Sequence, residues 1–298
     1  NVFFLTGTDE HGLKIQKSAQ KNNLEPLDYC NKLSKIFKDF SEKLNLSNND
    51  FIRTTEKRHH AAVNELWSRL VKSGDIYLSK YKGWYSVSDE AYYDSDEIIE
   101  KDGKKISTFS GSEVSWVEED SFFFKLSSWQ NKLLDFYDKN QKFILPSSRK
   151  NEVINFVKNG LKDLSVSRTS FTWGIRVPGN NKHIIYVWLD ALTNYLSALN
   201  FPDTKNSLYK DFWPASLHVI GKDILRFHAI YWPAFLLAAN IEPPQRVFGH
   251  GWILSGDEKM SKSKGNILNP LEIIKTYGID ELRYYLMKEV SHGSDGSI

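Results

Sequence analysis

One cysteine, Cys30, stands in the whole 298-residue chain. That excludes an intramolecular disulfide and any zinc site built from several cysteines, and it suits a reducing, cytoplasmic setting. Long apolar runs are missing as well. The best stretch, Ala229 to Ile241, is short and interrupted by Pro233, so neither a membrane-spanning segment nor a membrane partner is expected. An excess of one charge is also lacking. The formal net charge of +2 neither demands nor excludes a nucleic-acid partner, because a basic patch can sit on one face of a nearly neutral protein. Asn45-Leu46-Ser47 fits a glycosylation acceptor, but without a secretory signal the match reads as chance. The chain has no internal repeat, no low-complexity tract and no His-Glu-x-x-His spacing.

What is present is an ordinary globular composition in a chain long enough for two domains, or one domain with a large insertion. Val2 to Leu5 is a short apolar run broken by Thr6-Gly7-Thr8, the pattern of a buried parallel strand ending in a loop. Helical spacing follows near Leu13 to Gln20, Pro26 to Leu44 and Glu56 to Lys72. Ile76 to Phe124 changes character: it is aromatic and β-branched, turns at Asp102-Gly103 and reads as a β-rich inserted module. Helices are expected at Trp129 to Lys139 and Val153 to Leu161. Strands are expected at His183 to Val187, Leu217 to Ile220 and Val247-Phe248, with a helix over Ile224 to Ala239. Strand, loop and helix in alternation argue for an α/β, doubly wound parallel sheet. In such sheets ligands sit at the carboxyl ends of strands, which brings the loops Thr6–Gly12, Gly221–Asp223 and His250–Trp252 under suspicion together.

Four stretches carry residue types suited to chemistry. Thr8-Asp9-Glu10-His11-Gly12 sets two carboxylates and an imidazole after a strand. It is readable as a metal site, as a helix cap, or as a carboxylate, Asp9, receiving a ligand ammonium. Trp188, Ala191 and Tyr195 share a face if the segment is helical, as do Ile224, His228 and Trp232. Such stripes are commonly core, but a buried His228 needs a partner, and two aromatic faces would make a slot for a flexible side chain with a soft sulfur atom. In Gly221-Lys222-Asp223, glycine allows close backbone approach and Asp223 is able to accept from a ribose hydroxyl. Lys259-Met260-Ser261-Lys262-Ser263 is a loop that is either a solvated basic surface or a grip on a polyphosphate, with Lys259 and Lys262 as mobile point charges and Ser261 as a donor. His59-His60 and His183 read as ordinary surface or core histidines, and Lys101 to Lys105 as a solvated hairpin turn.

Taken together these residues resemble the methionyl-tRNA synthetases, a family of class I aminoacyl-tRNA synthetases. The resemblance rests on Phe3 to Gly12, Tyr186 to Ala191, Gly221 to Ile224, Phe227-His228 with Trp232 to Ala234, His250-Gly251 and Lys259 to Ser263, which occur in family order over almost the whole chain. It implies a Rossmann-like catalytic domain in two parts, 1–75 and 171–254. A connective insertion would occupy 76–170, and 255–298 would hold the lysine loop and the start of a stem-contact segment. It further implies that Asp9 holds the methionine ammonium and that Trp188, Ala191, Tyr195, Ile224, His228 and Trp232 line or support the side-chain pocket. Gly221, Asp223, His250, Gly251 and Trp252 would bind the adenosine part of ATP, and Lys259, Ser261 and Lys262 its phosphates, with Lys259 and Lys262 catalytic.

The implied substrates are L-methionine, ATP with Mg²⁺, and tRNA(Met). The family's His-Ile-Gly-His element should lie ahead of Asn1, so either residues precede Asn1 in the natural protein or the fragment is inactive. Ser86 and Asp89 stand where some members carry Cys-x-x-Cys, so a zinc-free form is expected. The chain stops before the family's helical anticodon-binding domain. Three alternatives remain: a class I synthetase for leucine, isoleucine or valine; a non-catalytic module binding tRNA or a partner; and a nucleotidyltransferase that builds a cofactor, which leaves an ammonium-binding Asp beside an aromatic slot unexplained.

Overall fold

Strand Leu5–Thr8 runs parallel to Asp50–Arg53, pairing Leu5 with Asp50 and Thr8 with Arg53. Between them lie two helices, Leu13–Lys21 and Pro26–Lys43, the latter with Pro26 in its first turn, where a missing N–H costs nothing. The strand begins at Leu5, later than the apolar run suggests: Val2 is 82% exposed and Phe4 42%, because cross-strand pairing starts only at Leu5. The structure, a computed structural model, describes residues 1–256, 258–260, 265–290 and 293–298. Its contacts divide the chain into one unit of Asn1–Ser128, Lys162–Trp213 and Phe235–Ile241, and a second of Trp129–Leu161, Pro214–Ala234 and Glu242–Ile298.

In the first unit the Lys57–Lys72 helix buries His59, Ala62, Val63, Leu66, Trp67 and Leu70, the spacing of one broad helical face. Trp67 meets Phe122 edge-on, with ring centroids 5.5 Å apart, on an antiparallel sheet ordered Ala91–Tyr93, Ile76–Ser86, Ser115–Phe124, Leu164–Ser165. The hairpin Ile98–Lys101 and Lys104–Ser107 turns through Asp102 and Gly103, both at positive φ, as the Asp-Gly signal requires.

The β-rich stretch holds a hydrogen-bonded knot at Asp89. Its carboxylate accepts from Tyr93 Oη at 2.7 Å, Ser110 Oγ at 2.5 Å and Ser112 Oγ at 2.7 Å, while its N–H donates to Ser86 Oγ at 3.2 Å. Ser107 Oγ accepts the N–H groups of Phe109 and Ser110. Ser86-x-x-Asp89 and Ser107-x-x-Ser110 thus repeat one spacing, and their side chains hold two turns by hydrogen bonds. Three neutral hydroxyls and a carboxylate already bonded by three donors do not fit a structural zinc, which takes thiolate or imidazole ligands.

The second unit contains a parallel three-stranded sheet in the order His218–Gly221, Val247–His250, Ile144–Leu145. Helices Gln130–Lys139 and Ser147–Lys158 belong to it, and buried Tyr137 donates its hydroxyl to Ala229 O at 2.7 Å. Later come Pro270–Tyr277, capped by Asn269 Oδ1 accepting from Leu271 N at 3.0 Å, and Ile279–Glu289. No helix among the described residues is long and apolar enough to cross a membrane.

Two expected helices differ from what is found. The Trp188 to Tyr195 segment is two short helices, Val187–Leu192 and Asn194–Ser197, which meet at Thr193. Lys222 to Ala238 passes from a 3₁₀ turn, Lys222–Ile224, through a π-helical turn, Phe227–Tyr231, into the α-helix Trp232–Ala238. Apolar spacing records which residues are buried, not the hydrogen-bond pattern that a single inserted residue shifts from i+4 to i+5.

Candidate active site

The turn after the first strand is built around Glu10, which is 3% exposed. Arg53 grips it through Nε to Oε1 at 2.7 Å and Nη2 to Oε2 at 3.0 Å, and the hydroxyls of Thr8 and Thr55 donate to it at 2.7 and 2.5 Å. Burial alone would raise the Glu10 pKa, but these four donors outweigh it and hold the carboxyl below its ordinary value. The backbone is pinned as well: Glu10 N donates to Thr54 Oγ1 at 2.9 Å, Trp173 Nε1 donates to Glu10 O at 2.6 Å, and Gly12 N donates to Trp173 O at 3.1 Å.

His11 turns inward. Its Nδ1 lies 2.6 Å from Asp190 Oδ2, Asp190 Oδ1 lies 2.7 Å from His59 Nε2, and His59 Nδ1 lies 2.9 Å from Ser197 Oγ. All four side chains are buried. Burial opposes a charged imidazole, yet the Asp190 carboxylate outweighs it and raises the His11 pKa. Burial likewise acts to raise Asp190, and the two histidines hold it well below the carboxylate range. The motif is therefore clamped on one side by an ion pair to the Asp50–Arg53 strand and on the other by an ion pair to the Val187–Leu192 helix.

Asp9 is left facing solvent. Its carboxylate faces the His11 N–H and does not cap the following helix, whose N-cap is Gly12. The local cap expected of Asp9 is thus a contact with its own turn. Desolvation by surrounding protein, then the charges of Glu90 and Asp190, raise the Asp9 pKa well above its ordinary value, and His11 only partly offsets them. Such a carboxyl gains its full charge when a cation arrives beside it.

On the same unit, Ala191 is buried while Trp188 and Tyr195 keep partial exposure. Arg168, fully buried, lies over the rings of Tyr92, Tyr186 and Tyr85 at 4.1, 4.5 and 5.4 Å, and its Nη1 donates to Ser167 O and Ser165 Oγ.

In the second unit, Gly221 and His250 are paired at the ends of adjacent parallel strands, with Asp223 directly beyond: a Cβ on Gly221 would lie 2.5 Å from Asp223 Oδ1. A Cβ on Gly251 would lie 2.0 Å from Ser294 O, so only glycine fits there. Trp252 N donates to Asp295 Oδ1 at 2.8 Å, Lys222 Nζ donates to both Asp295 oxygens at 2.6 and 2.8 Å, and Lys222 Nζ lies 4.1 Å from the Trp252 ring centroid. Gly221, Asp223, His250, Gly251 and Trp252 thus gather at the carboxyl ends of two neighbouring strands, where ligands bind in open α/β sheets. His228 is buried, and its Nδ1–H donates to Ile224 O at 3.0 Å; burial drives its pKa down to about 4, so the ring is neutral. Ile224 is half-buried and Trp232 fully buried.

Glu258–Lys259 pairs antiparallel with Ile253–Ser255. The Lys259 side chain, Ser261 and Lys262 lie outside the described residues. Among the described residues no group of three or more His, Cys, Asp or Glu is placed to hold a metal ion.

Sequence reasoning gave no individual role to Glu10, His59, Asp190, Ser197, Glu90 and Asp295: Glu10 entered only as one carboxylate of its motif, and His59 as an ordinary surface or core histidine. Asp190 stood inside a quoted segment, but its partners lie 131 and 179 residues away, and a single sequence carries no signal for that pairing.

A parallel α/β frame with strand-end glycines and a carboxylate-bearing first turn is a Rossmann-like nucleotide-binding fold. The family described as tRNA synthetases class I (M) matches residues 1–105 and 101–298. The chain is 54% identical over 297 residues to the methionine–tRNA ligase of Rickettsia typhi, covering 100% of this chain and 58% of that protein. It is 53% identical over 298 residues to that of Brucella suis, with the same coverage. A crystal structure of Mycobacterium tuberculosis methionyl-tRNA synthetase bound by methionyl-adenylate matches with a TM-score of 0.97 at 50% identity, covering 100% of this chain and 59% of that one. The chain belongs to the class I tRNA synthetase family (M), and it spans 58% of the length of the first two relatives.

Proposed function

We propose that this chain carries the amino-acid-activating region of a cytoplasmic methionine–tRNA ligase. The methionine carboxylate attacks the α-phosphorus of ATP, the bond to the bridging oxygen breaks, and pyrophosphate leaves. The adenylate then esterifies the 3′-terminal adenosine of tRNA(Met), releasing AMP. The observation that carries this reading is the Asp9 turn: an accessible carboxyl, crowded by Glu90 and Asp190, on a backbone fixed from both sides. That arrangement recognises an ammonium. The adenylate-bound relative at 50% identity supports the choice of methionine.

A carboxylate is already a nucleophile, so the first step needs no general base; positioning and charge neutralisation carry it. Asp9 receives the ammonium, while Trp188, Ala191, Tyr195, Ile224, His228 and Trp232 serve the side chain. A neutral His228, fixed by Ile224 O, adds no charge for a thioether to meet. Gly221, Asp223, His250, Gly251 and Trp252 hold the adenosine part. Lys259, Ser261 and Lys262 take the phosphates, the lysines binding the transition state more tightly than the ground state. Mg²⁺ enters with the triphosphate as part of the substrate. The donor set at Asp89 supports a zinc-free insertion over 76–170, between catalytic parts 1–75 and 171–254, with 255–298 as the lysine loop and stem-contact segment.

Methionine-dependent ATP–pyrophosphate exchange by the intact protein tests this reading. Exchange is expected with methionine, at least tenfold above that with leucine, isoleucine or valine, and lost in Lys262→Ala. Exchange unchanged in Lys262→Ala, or driven equally by the branched amino acids, contradicts it. Binding of tRNA without any ATP or methionine binding would favour a non-catalytic module.

A further inference from the structure

Glu90 follows the Asp89 knot directly and sits at φ +50°, where a non-glycine residue is uncommon. Its backbone is held: Tyr186 Oη donates to Glu90 O at 2.8 Å, and Asp89 beside it is fixed by four hydrogen bonds. The side chain thereby reaches the first turn of the Leu13–Lys21 helix. A Cβ on Gly12, at φ +104°, would lie 2.2 Å from Glu90 Oε1, so the carboxylate packs directly on the Gly12 backbone. The Lys14 N–H faces it and favours its charge. That helix has no side-chain cap of its own, and a carboxylate at such an end satisfies orphan N–H dipoles. Oε1 is buried and has no hydrogen-bond partner among the described residues.

We propose that Glu90 is a positioning residue for Asp9: its carboxylate, presented by the Asp89 knot and seated on Gly12, fixes the turn that carries Asp9 and adds a second negative charge beside the ammonium site. The knot then has a use beyond holding the β-rich stretch together, since it aims Glu90 at the catalytic turn. This inference rests on the reading of Asp9 as the ammonium's partner. Around Glu90 stand Lys14 on the helix, Asp9 on the turn, Asp190 on the Val187–Leu192 helix, Arg168 on strand Ser167–Arg168 and Tyr85 on strand Ile76–Ser86. Burial, opposed by Lys14, pushes Glu90 up to about 7, and Glu90 is the foremost charged neighbour raising Asp9. As pH rises through about 7 Glu90 gains charge beside the ammonium site, and methionine affinity increases.

The test compares Glu90→Ala and Glu90→Gln in the intact protein. In pyrophosphate exchange, Glu90→Ala is expected to raise the methionine KM about tenfold, the effect of roughly 1.4 kcal/mol, with the ATP KM unchanged. Glu90→Gln, which keeps an acceptor for Lys14, should move the pH step in methionine KM to lower pH, because Asp9 no longer feels a neighbouring charge; a packing role alone would not move it. Hydrogen exchange at the Lys14 amide, which needs no substrate, should quicken about tenfold in Glu90→Ala and not in Glu90→Gln. A methionine KM within twofold of the parent in Glu90→Ala, together with an unmoved pH step in Glu90→Gln, overturns the proposal. If the parent shows no methionine-dependent exchange, the function reading fails separately, and unchanged Lys14 exchange in Glu90→Ala then overturns the positioning role by itself.

Discussion

His11 Nδ1 lies 2.6 Å from Asp190 Oδ2, with His11 4% exposed and Asp190 0%, and this contact ties the first strand's turn to the Val187–Leu192 helix. A charged pair taken this far from water gains from its Coulomb attraction only while both partners remain. Asp190→Asn keeps the shape and removes the charge that two histidines share. The expected cost is about 3–5 kcal/mol, the usual result of stranding a buried charge. Urea unfolding measures it, and a loss under about 1 kcal/mol would show that the pair is not ionised.

The same pair sets a pH window. The His11 pKa is raised above its ordinary 6.5, so its contribution to stability is full below that value and is lost as pH rises through the raised one. The Asp190 pKa is depressed below its ordinary 3.8, so its contribution is present above that value and is lost as pH falls through the depressed one. Thermal unfolding from pH 5 to 9 should therefore show the parent losing an advantage over His11→Asn towards the alkaline end. A constant difference between the two proteins across that range speaks against an ionised His11.

At Asp89 the sign is that of a carboxylate held by donors. Burial acts to raise its pKa, and Ser110, Ser112, Tyr93 and Ser86 outweigh it and lower it below 3.8. Its stabilisation is present above that ordinary value and is lost as pH falls through the depressed one. Asp89→Ala leaves the buried Tyr93 hydroxyl and those of Ser110 and Ser112 without their acceptor and should cost about 1–3 kcal/mol, loosening 86–112 while leaving the Lys57–Lys72 helix protected. Hydrogen exchange resolved by segment checks this; uniform loosening of the first unit would contradict a local role.

Leu66, fully buried on the Lys57–Lys72 helix, gives a reference for the core. Leu66→Ala should cost about 2–5 kcal/mol by lost burial and the cavity left behind. Methionine KM among the folded molecules should stay within twofold, and a larger change would mean that the packing under His59 reaches the Asp9 turn.

Much of the frame was legible in the sequence, because it is written in local spacing. The Pro26 helix was expected to end at Leu44 and ends at Lys43, the Asp102-Gly103 turn is where the dipeptide put it, and Gly221, Asp223 and His250 gather as strand-end reasoning required. What stayed hidden depends on distant partners. His59 looks like any histidine until Asp190 arrives from 131 residues away. Glu90 looks like a surface acid until its place on Gly12 is seen. The break at Thr193 and the π-helical turn at Phe227–Tyr231 leave the burial pattern almost unchanged, so periodicity could not reveal them.

One measurement decides whether Asp9 holds the ammonium of a methionine being activated: ATP–pyrophosphate exchange by the intact protein bearing Asp9→Asn, with methionine and ATP varied independently. A charge-assisted hydrogen bond is worth about 1.5–3 kcal/mol, so the methionine KM should rise roughly 10- to 150-fold while the ATP KM holds within twofold. A methionine KM unchanged in Asp9→Asn, or an equal rise in both constants, would contradict the assignment.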